Sequence, residues 1–253
     1  MNGAVVHATI DFDKNLRNTK KERFTELKKK LLQLIPVYAV LPLAVEVILN
    51  SLVYGGTKLI VGSWYHYNIE TSLDMQIPFL PWTVSIYFGC YLFWIVNYII
   101  CVRQGEKEAY QFLSADFLAK WICLLFFLVF PTTNTRPEIT GNGFWDMAMK
   151  FLYRVDSADN LFPSIHCLTS WFCYIGIRRR KNVPAIYRSF SCIMAIAVFL
   201  STLTTKQHVL VDVAGGVLLA EISYFIASHT KLAGYYGKAS RRITKRIIPK
   251  NLF

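Results

Sequence analysis

Six long apolar runs dominate the chain, at about residues 31–53, 77–102, 112–131, 163–177, 184–205 and 207–228. A helix needs roughly 20 apolar residues to cross the hydrocarbon core of a bilayer, and a shorter run serves where one end opens into a polar cavity. The pattern predicts an all-α, polytopic membrane protein with six transmembrane helices. The fourth run is short and carries Ser164 and His166 at its start, which suits a helix beginning inside a wet pocket. Composition agrees: 54% of the 253 residues are hydrophobic, 17% are charged, and the mean hydropathy is +0.34. Such values exclude a disordered or fibrous chain and argue against a single soluble domain.

The formal charge of +12 would point to nucleic acid if the cations formed a patch on a folded polar surface. Most of the Lys and Arg instead lie outside the apolar runs, so the expected partner is the bilayer surface and not nucleic acid. With both termini in the cytoplasm, the inner side receives 22 of the 28 cations. Eight come from the N-terminal arm, two from Arg103 and Lys107, five from Arg178 to Arg188, and seven from Lys231 onward. The outer loops receive Lys58, Arg136, Lys150, Arg154 and Lys206, and Lys120 lies inside a span. The positive-inside rule therefore predicts both termini cytoplasmic. The first thirty residues are basic and lack the apolar core of a cleavable signal, so the first span is expected to be retained. The expected organisation is a basic arm over 1–30, one membrane domain over 31–230 and a basic tail over 231–253. Six dispersed cysteines read as small buried hydrophobes.

In this topology three distant stretches share the outer membrane depth: Thr135-Arg136-Pro137, Pro163-Ser164-Ile165-His166, and Lys206-Gln207-His208 followed by Asp212. A spacing of four puts Asp212 on the helix face of His208, where it can accept one ring N–H and leave the other nitrogen free as nucleophile or base. An ordinary intramembrane polar pair that pins helix packing is the alternative. Pro163 and Ser164 read as a helix start whose free N–H groups suit a phosphate, or as a plain Ser cap. Arg136 offers a planar fork for phosphate oxygens. Arg154 could act likewise, although Asp156 and Asp159 nearby offer it a salt bridge. Together these form a phosphate cradle with a nucleophilic histidine and a second histidine to protonate the leaving group. No HExxH, CxxC or acidic cluster argues for a metal, and no cofactor is expected.

Arg136-Pro137, Pro163-Ser164-Ile165-His166, and Ser201 with His208 and Asp212 resemble the three motifs of the type 2 phosphatidic acid phosphatase superfamily, K-x6-RP, PSGH and SR-x5-H-x3-D. The resemblance covers about residues 131–216. It implies a six-helix membrane enzyme acting on lipid phosphates, a lipid phosphatase or phosphotransferase that passes through a phosphohistidine without a metal. His208, His166 and Asp212 would be catalytic, with Arg136 and Ser164 holding the phosphate; Lys206, two residues before His208, is expected as the substitute cation and Arg154 as a further phosphate contact. The substrate would be a phospholipid or polyprenyl phosphate, and the site would face the extracytoplasmic side of the cell membrane. Three positions depart from the motifs: Val129 stands for Lys, Ile165 for Gly and Thr202 for Arg. Such losses resemble the branch that includes sphingolipid headgroup transferases and leave water or a lipid alcohol as acceptor. A non-catalytic lipid-binding or transport protein on the same framework is the alternative. Lys120 is expected to pair with Asp116 near the opposite membrane face, Glu221 to make a polar contact at the cytoplasmic end, and Glu46 has no assigned role.

Overall fold

A computed structural model describes residues 23, 26 and 33–247, and the expected basic arm therefore lies almost wholly outside the described residues. The chain is mostly helical. Helix α1 (Val37–Ser51) passes through a π-helical turn (Leu52–Gly56) into α2 (Thr57–Val61). A two-residue strand β1 (Tyr67–Asn68), α3 (Ser72–Gln76) and a 3₁₀ turn (Pro81–Thr83) lead into α4 (Val84–Val102) and α5 (Glu106–Val129). Strand β2 (Thr132–Thr133) pairs in parallel with β1. Helices α6 (Phe144–Val155), α7 (Ile165–Ile175), α8 (Ala185–Thr204), α9 (Leu210–His229) and α10 (Leu232–Ile247) complete the chain.

Among the described residues, five helical stretches are long and apolar enough to cross a membrane: Val37–Val61, Pro81–Val102, Glu106–Val129, Ala185–Thr204 and Leu210–His229. The fourth expected span is helical only over the 11 residues of α7, about 16 Å at 1.5 Å per residue and too short to cross alone. Its position explains the deficit. Helix α7 packs against α4, α5, α8 and α9, and nearly all its residues are buried, so it is a core helix with little lipid-facing surface.

Helix α5 is the other central element. Ala109, Phe112, Leu113, Asp116, Ala119, Lys120, Cys123 and Phe127 recur at helical spacing and are buried against α1, α4, α7, α9 and α10. Lys120 forms the expected pair with Asp116, at 3.0 Å, and Tyr98 donates to the second carboxylate oxygen at 2.7 Å. Its predicted depth is corrected: Lys120 Nζ also donates to Thr169 on α7 at 3.2 Å, one helical turn from His166. Because α5 ends at Val129, the segment up to Arg136 adds no helical rise, and Lys120 lies near mid-helix.

The C-terminal segment expected as a tail contains α10, which packs along α5, α1 and α9. Its buried residues are Gly237, Ser240 and Thr244. A Cβ at Gly237 would stand 2.7 Å from the Tyr110 ring, so only glycine permits this approach. Glu221 pairs with Arg178 through both carboxylate oxygens, at 2.6 and 2.8 Å, and accepts from Trp171 at 2.8 Å. All six cysteines are free thiols, five of them buried.

Candidate active site

The end of α8 and the start of α9 form one tightly specified turn. The Gln207 N–H donates to the Thr202 carbonyl at 2.9 Å and the Lys206 N–H to that of Leu203 at 3.1 Å. This closes the helix in the manner of a Schellman motif, with Lys206 in the left-handed region at φ 54°. Asp212, three residues into the next turn, accepts from the Val209 N–H at 3.0 Å and so caps α9. The same oxygen lies 3.2 Å from His208 Nδ1. One buried carboxylate thus ends the loop and fixes the imidazole, leaving Nε2 as the open ring nitrogen.

Ser164 caps α7, its Oγ accepting from the Cys167 N–H at 3.2 Å. Its own N–H donates to the Asp212 carbonyl at 3.1 Å, which ties the start of α7 to the start of α9. The approach is close: a Cβ on Gly216 would lie 2.5 Å from the Ser164 carbonyl oxygen. His166 follows in the first turn of α7, and its ring centroid is 5.8 Å from that of His208. Around it stand Tyr87, Tyr91 and Trp94, which share a face of α4, with ring centroids 4.5, 6.3 and 5.5 Å away.

Both histidines line a cavity of about 270 Å³, together with Tyr54, Asp156, Asp159 and Gln207. Asp156 was legible in the sequence only as a salt-bridge partner for Arg154, and that bridge is not formed. Its carboxylate accepts from the hydroxyls of Tyr54 and Tyr87, 102 and 69 residues away in the chain. Burial opposes its ionisation, but attraction to His166, the two tyrosine hydroxyls and His208 outweigh that and hold Asp156 below the usual carboxylate range. Asp159 pairs with Lys58 at 3.0 Å.

The expected cations divide. Arg136 donates to the Asp156 carbonyl at 2.6 Å and to the Gln207 side chain, with its guanidinium 4.7 Å over the Tyr153 ring. It therefore sits one side chain behind the cavity wall, with a buried Nε that has no partner among the described residues. Lys206 and Arg154 do not line the cavity. The left-handed turn sends the Lys206 ammonium to the Asp74 carbonyl at 2.8 Å, and Arg154 is exposed on the outer face of α6. At the motif departures, Val129 is 72% exposed on the outer face of α5, whereas Thr202 is buried with its hydroxyl on the Phe199 carbonyl at 2.8 Å. Ile165 is buried and lines the cavity.

The chain belongs to the PAP2 superfamily: a family profile of that description matches residues 60–226, a stretch that contains every group in this cavity except Asn50 and Tyr54. With its apolar helices, this makes it a membrane protein of phosphatase type. No curated protein and no solved structure matches the chain at a significant level.

Proposed function

We propose that this protein is an integral membrane lipid phosphatase or phosphotransferase that cleaves a lipid phosphoester through a phosphohistidine, without a metal. One observation carries the reading: His166 in the first turn of α7 and His208 in the turn before α9 flank one cavity, and His208 is held at Nδ1 by a buried carboxylate. A binding protein has no use for a nucleophile with an orienting acid.

In the mechanism, the His208 Nε2 lone pair attacks phosphorus and forms the N–P bond. Asp212 accepts the Nδ1–H and stabilises the positive charge that develops on the ring. The P–O bond to the lipid breaks, its electron pair passes to the leaving oxygen, and His166 supplies the proton. Arg136, after release from Gln207, and the N–H groups of Ile165 and His166 in the first turn of α7, which Ser164 caps, stabilise the phosphoryl oxygens. Water or a lipid alcohol, activated by the now neutral His166, then takes the phosphoryl group and frees His208. Lys206 and Arg154 serve outside this first set of contacts. The topology that suits this chemistry has both termini cytoplasmic and the cavity opening to the extracytoplasmic side of the cell membrane. There the short α7 would complete a sixth crossing with the loops at its ends. The membrane domain would span 31–230, with basic segments before and after it.

Purified protein in detergent, supplied with phosphatidate, phosphatidylglycerol phosphate or polyprenyl diphosphate, should release phosphate from at least one. A lipid alcohol that diverts the product without raising phosphate release marks a transferase. Tight lipid binding with no turnover of any of the three would favour the non-catalytic alternative, which the motif departures at Val129 and Thr202 also favour.

A further inference from the structure

The mechanism above leaves the groups behind His166 without a part. The Tyr87 hydroxyl lies 3.4 Å from His166 Nδ1, and the same hydroxyl donates to Asp156 Oδ2. A phenol has one proton, so with that proton on Asp156 the tyrosine oxygen can meet Nδ1 only as an acceptor. Nδ1 then carries hydrogen, and Nε2 is the nitrogen left to exchange a proton with substrate. The far side of the carboxylate is fixed as well: Asp156 Oδ1 accepts from Tyr54, whose oxygen accepts from Lys58 at 2.8 Å. Lys58 is in turn held by Ser157 at 2.9 Å and Asp159 at 3.0 Å.

We propose that Tyr87 and Asp156 form an orienting relay for His166, fixing its tautomer and supporting its positive charge when it acts as the acid of phosphoryl transfer. This inference rests on the phosphoryl-transfer reading of the same cavity. Tyr87 and Asp156 are positioning residues; the proton itself moves from His166 Nε2 to the leaving oxygen as the P–O bond breaks. His166 ends neutral, with hydrogen on Nδ1 directed at Tyr87. Besides Tyr91 and Trp94, whose indole N–H bonds Ser170, the polar groups facing His166 are His208, backed by Asp212, and Lys120, bonded to Thr169 one turn along α7. None of them accepts from Nδ1, so the relay is the feature that defines its tautomer.

The test compares two leaving groups. Dioctanoyl phosphatidate releases an alkoxide that must be protonated, whereas 4-nitrophenyl phosphate releases a phenolate that need not be. Tyr87→Phe keeps the ring packing and removes one oxygen; Asp156→Asn keeps the shape and removes the charge. Both variants should lower kcat for the phosphatidate about 10- to 100-fold with KM little changed, part of the ~10²–10⁴ a placed general acid contributes. The first-turnover burst of 4-nitrophenolate, which reads P–O cleavage before His166 activates water, should change by less than about threefold in both, since the acid contribution is absent there. Equal losses in phosphatidate turnover and in the nitrophenolate burst, or no loss in either, would overturn the relay while leaving the phosphoryl-transfer reading in place. A wild-type protein that turns over neither the nitrophenyl ester nor any of the three lipid phosphates would overturn that reading, and the relay with it.

Discussion

Lys206 places its ammonium 2.8 Å from the backbone carbonyl of Asp74 and holds its own backbone at φ 54°. Its sequence position beside His208 suggested a phosphate ligand; its geometry makes it the residue that closes α8. Glycine adopts this conformation without strain. Lys206→Gly should therefore retain activity within about threefold and leave the melting temperature little changed, because relief of strain of ~1 kcal/mol offsets the lost contact. A loss of 100-fold or more in kcat, with the fold intact, would return Lys206 to the phosphate.

Arg136 stands behind the cavity wall, bonded to Gln207, which lines the cavity with both histidines. Removing it should cost about 3 kcal/mol of transition-state stabilisation, the scale of one pre-organised oxyanion contact. Its planar fork spans the Asp156 carbonyl and Gln207 at once, so Arg136→Lys should recover little. Steady-state kcat/KM on the best substrate from the lipid panel measures both effects.

The Lys120–Asp116 pair is almost fully buried, at 2% and 1% exposure. Breaking it by Lys120→Met leaves an uncompensated carboxylate, for which a cost of about 3–5 kcal/mol is typical. Adding Asp116→Asn should recover much of the loss, a coupling readable in a double-mutant cycle of unfolding in detergent. Strictly additive losses would show that the pair does not act as a unit.

Asp74 connects the short helix α3 to the active-site turn, accepting from the Leu210 N–H at 2.7 Å. Burial works against its charge, but bonds from Thr71 and Leu210 and the nearby Lys206 prevail and hold it below the usual carboxylate value. A carboxylate lowered in this way adds stability that is complete above the unfolded value of about 4 and is lost as pH falls through the lower folded value. The melting temperature should accordingly drop less between pH 5 and pH 3 in Asp74→Asn than in wild type. Identical drops would remove Asp74 from the account.

Much of the fold could be read from apolar run length: α4, α5, α8 and α9 lie where hydropathy put them. The segments that escaped are those whose packing does not depend on hydropathy. Helix α10 buries Gly237, Ser240 and Thr244, small residues that read as polar tail but permit close helix contact. The chemistry-bearing residues that stood out were those in short spacings, His208 with Asp212 and Ser164 with His166. Asp156, Tyr54 and Tyr87 come from three separate elements, and only the folded chain brings them together. A periodic signal did exist for one part of this group, since Tyr87, Tyr91 and Trp94 share a face of α4 that an aromatic count alone would not separate from lipid-facing residues.

The central claim is that His208 carries the phosphoryl group. Rapid quenching of the enzyme during turnover of 4-nitrophenyl phosphate in the presence of chelator, followed by peptide mass mapping, addresses it directly. The account predicts one phosphoryl group on the peptide containing His208, labile in acid and stable in base, and absent from His208→Ala. Phosphate found on another residue, a phosphoenzyme that forms only when metal is restored, or full activity in His208→Ala would contradict it.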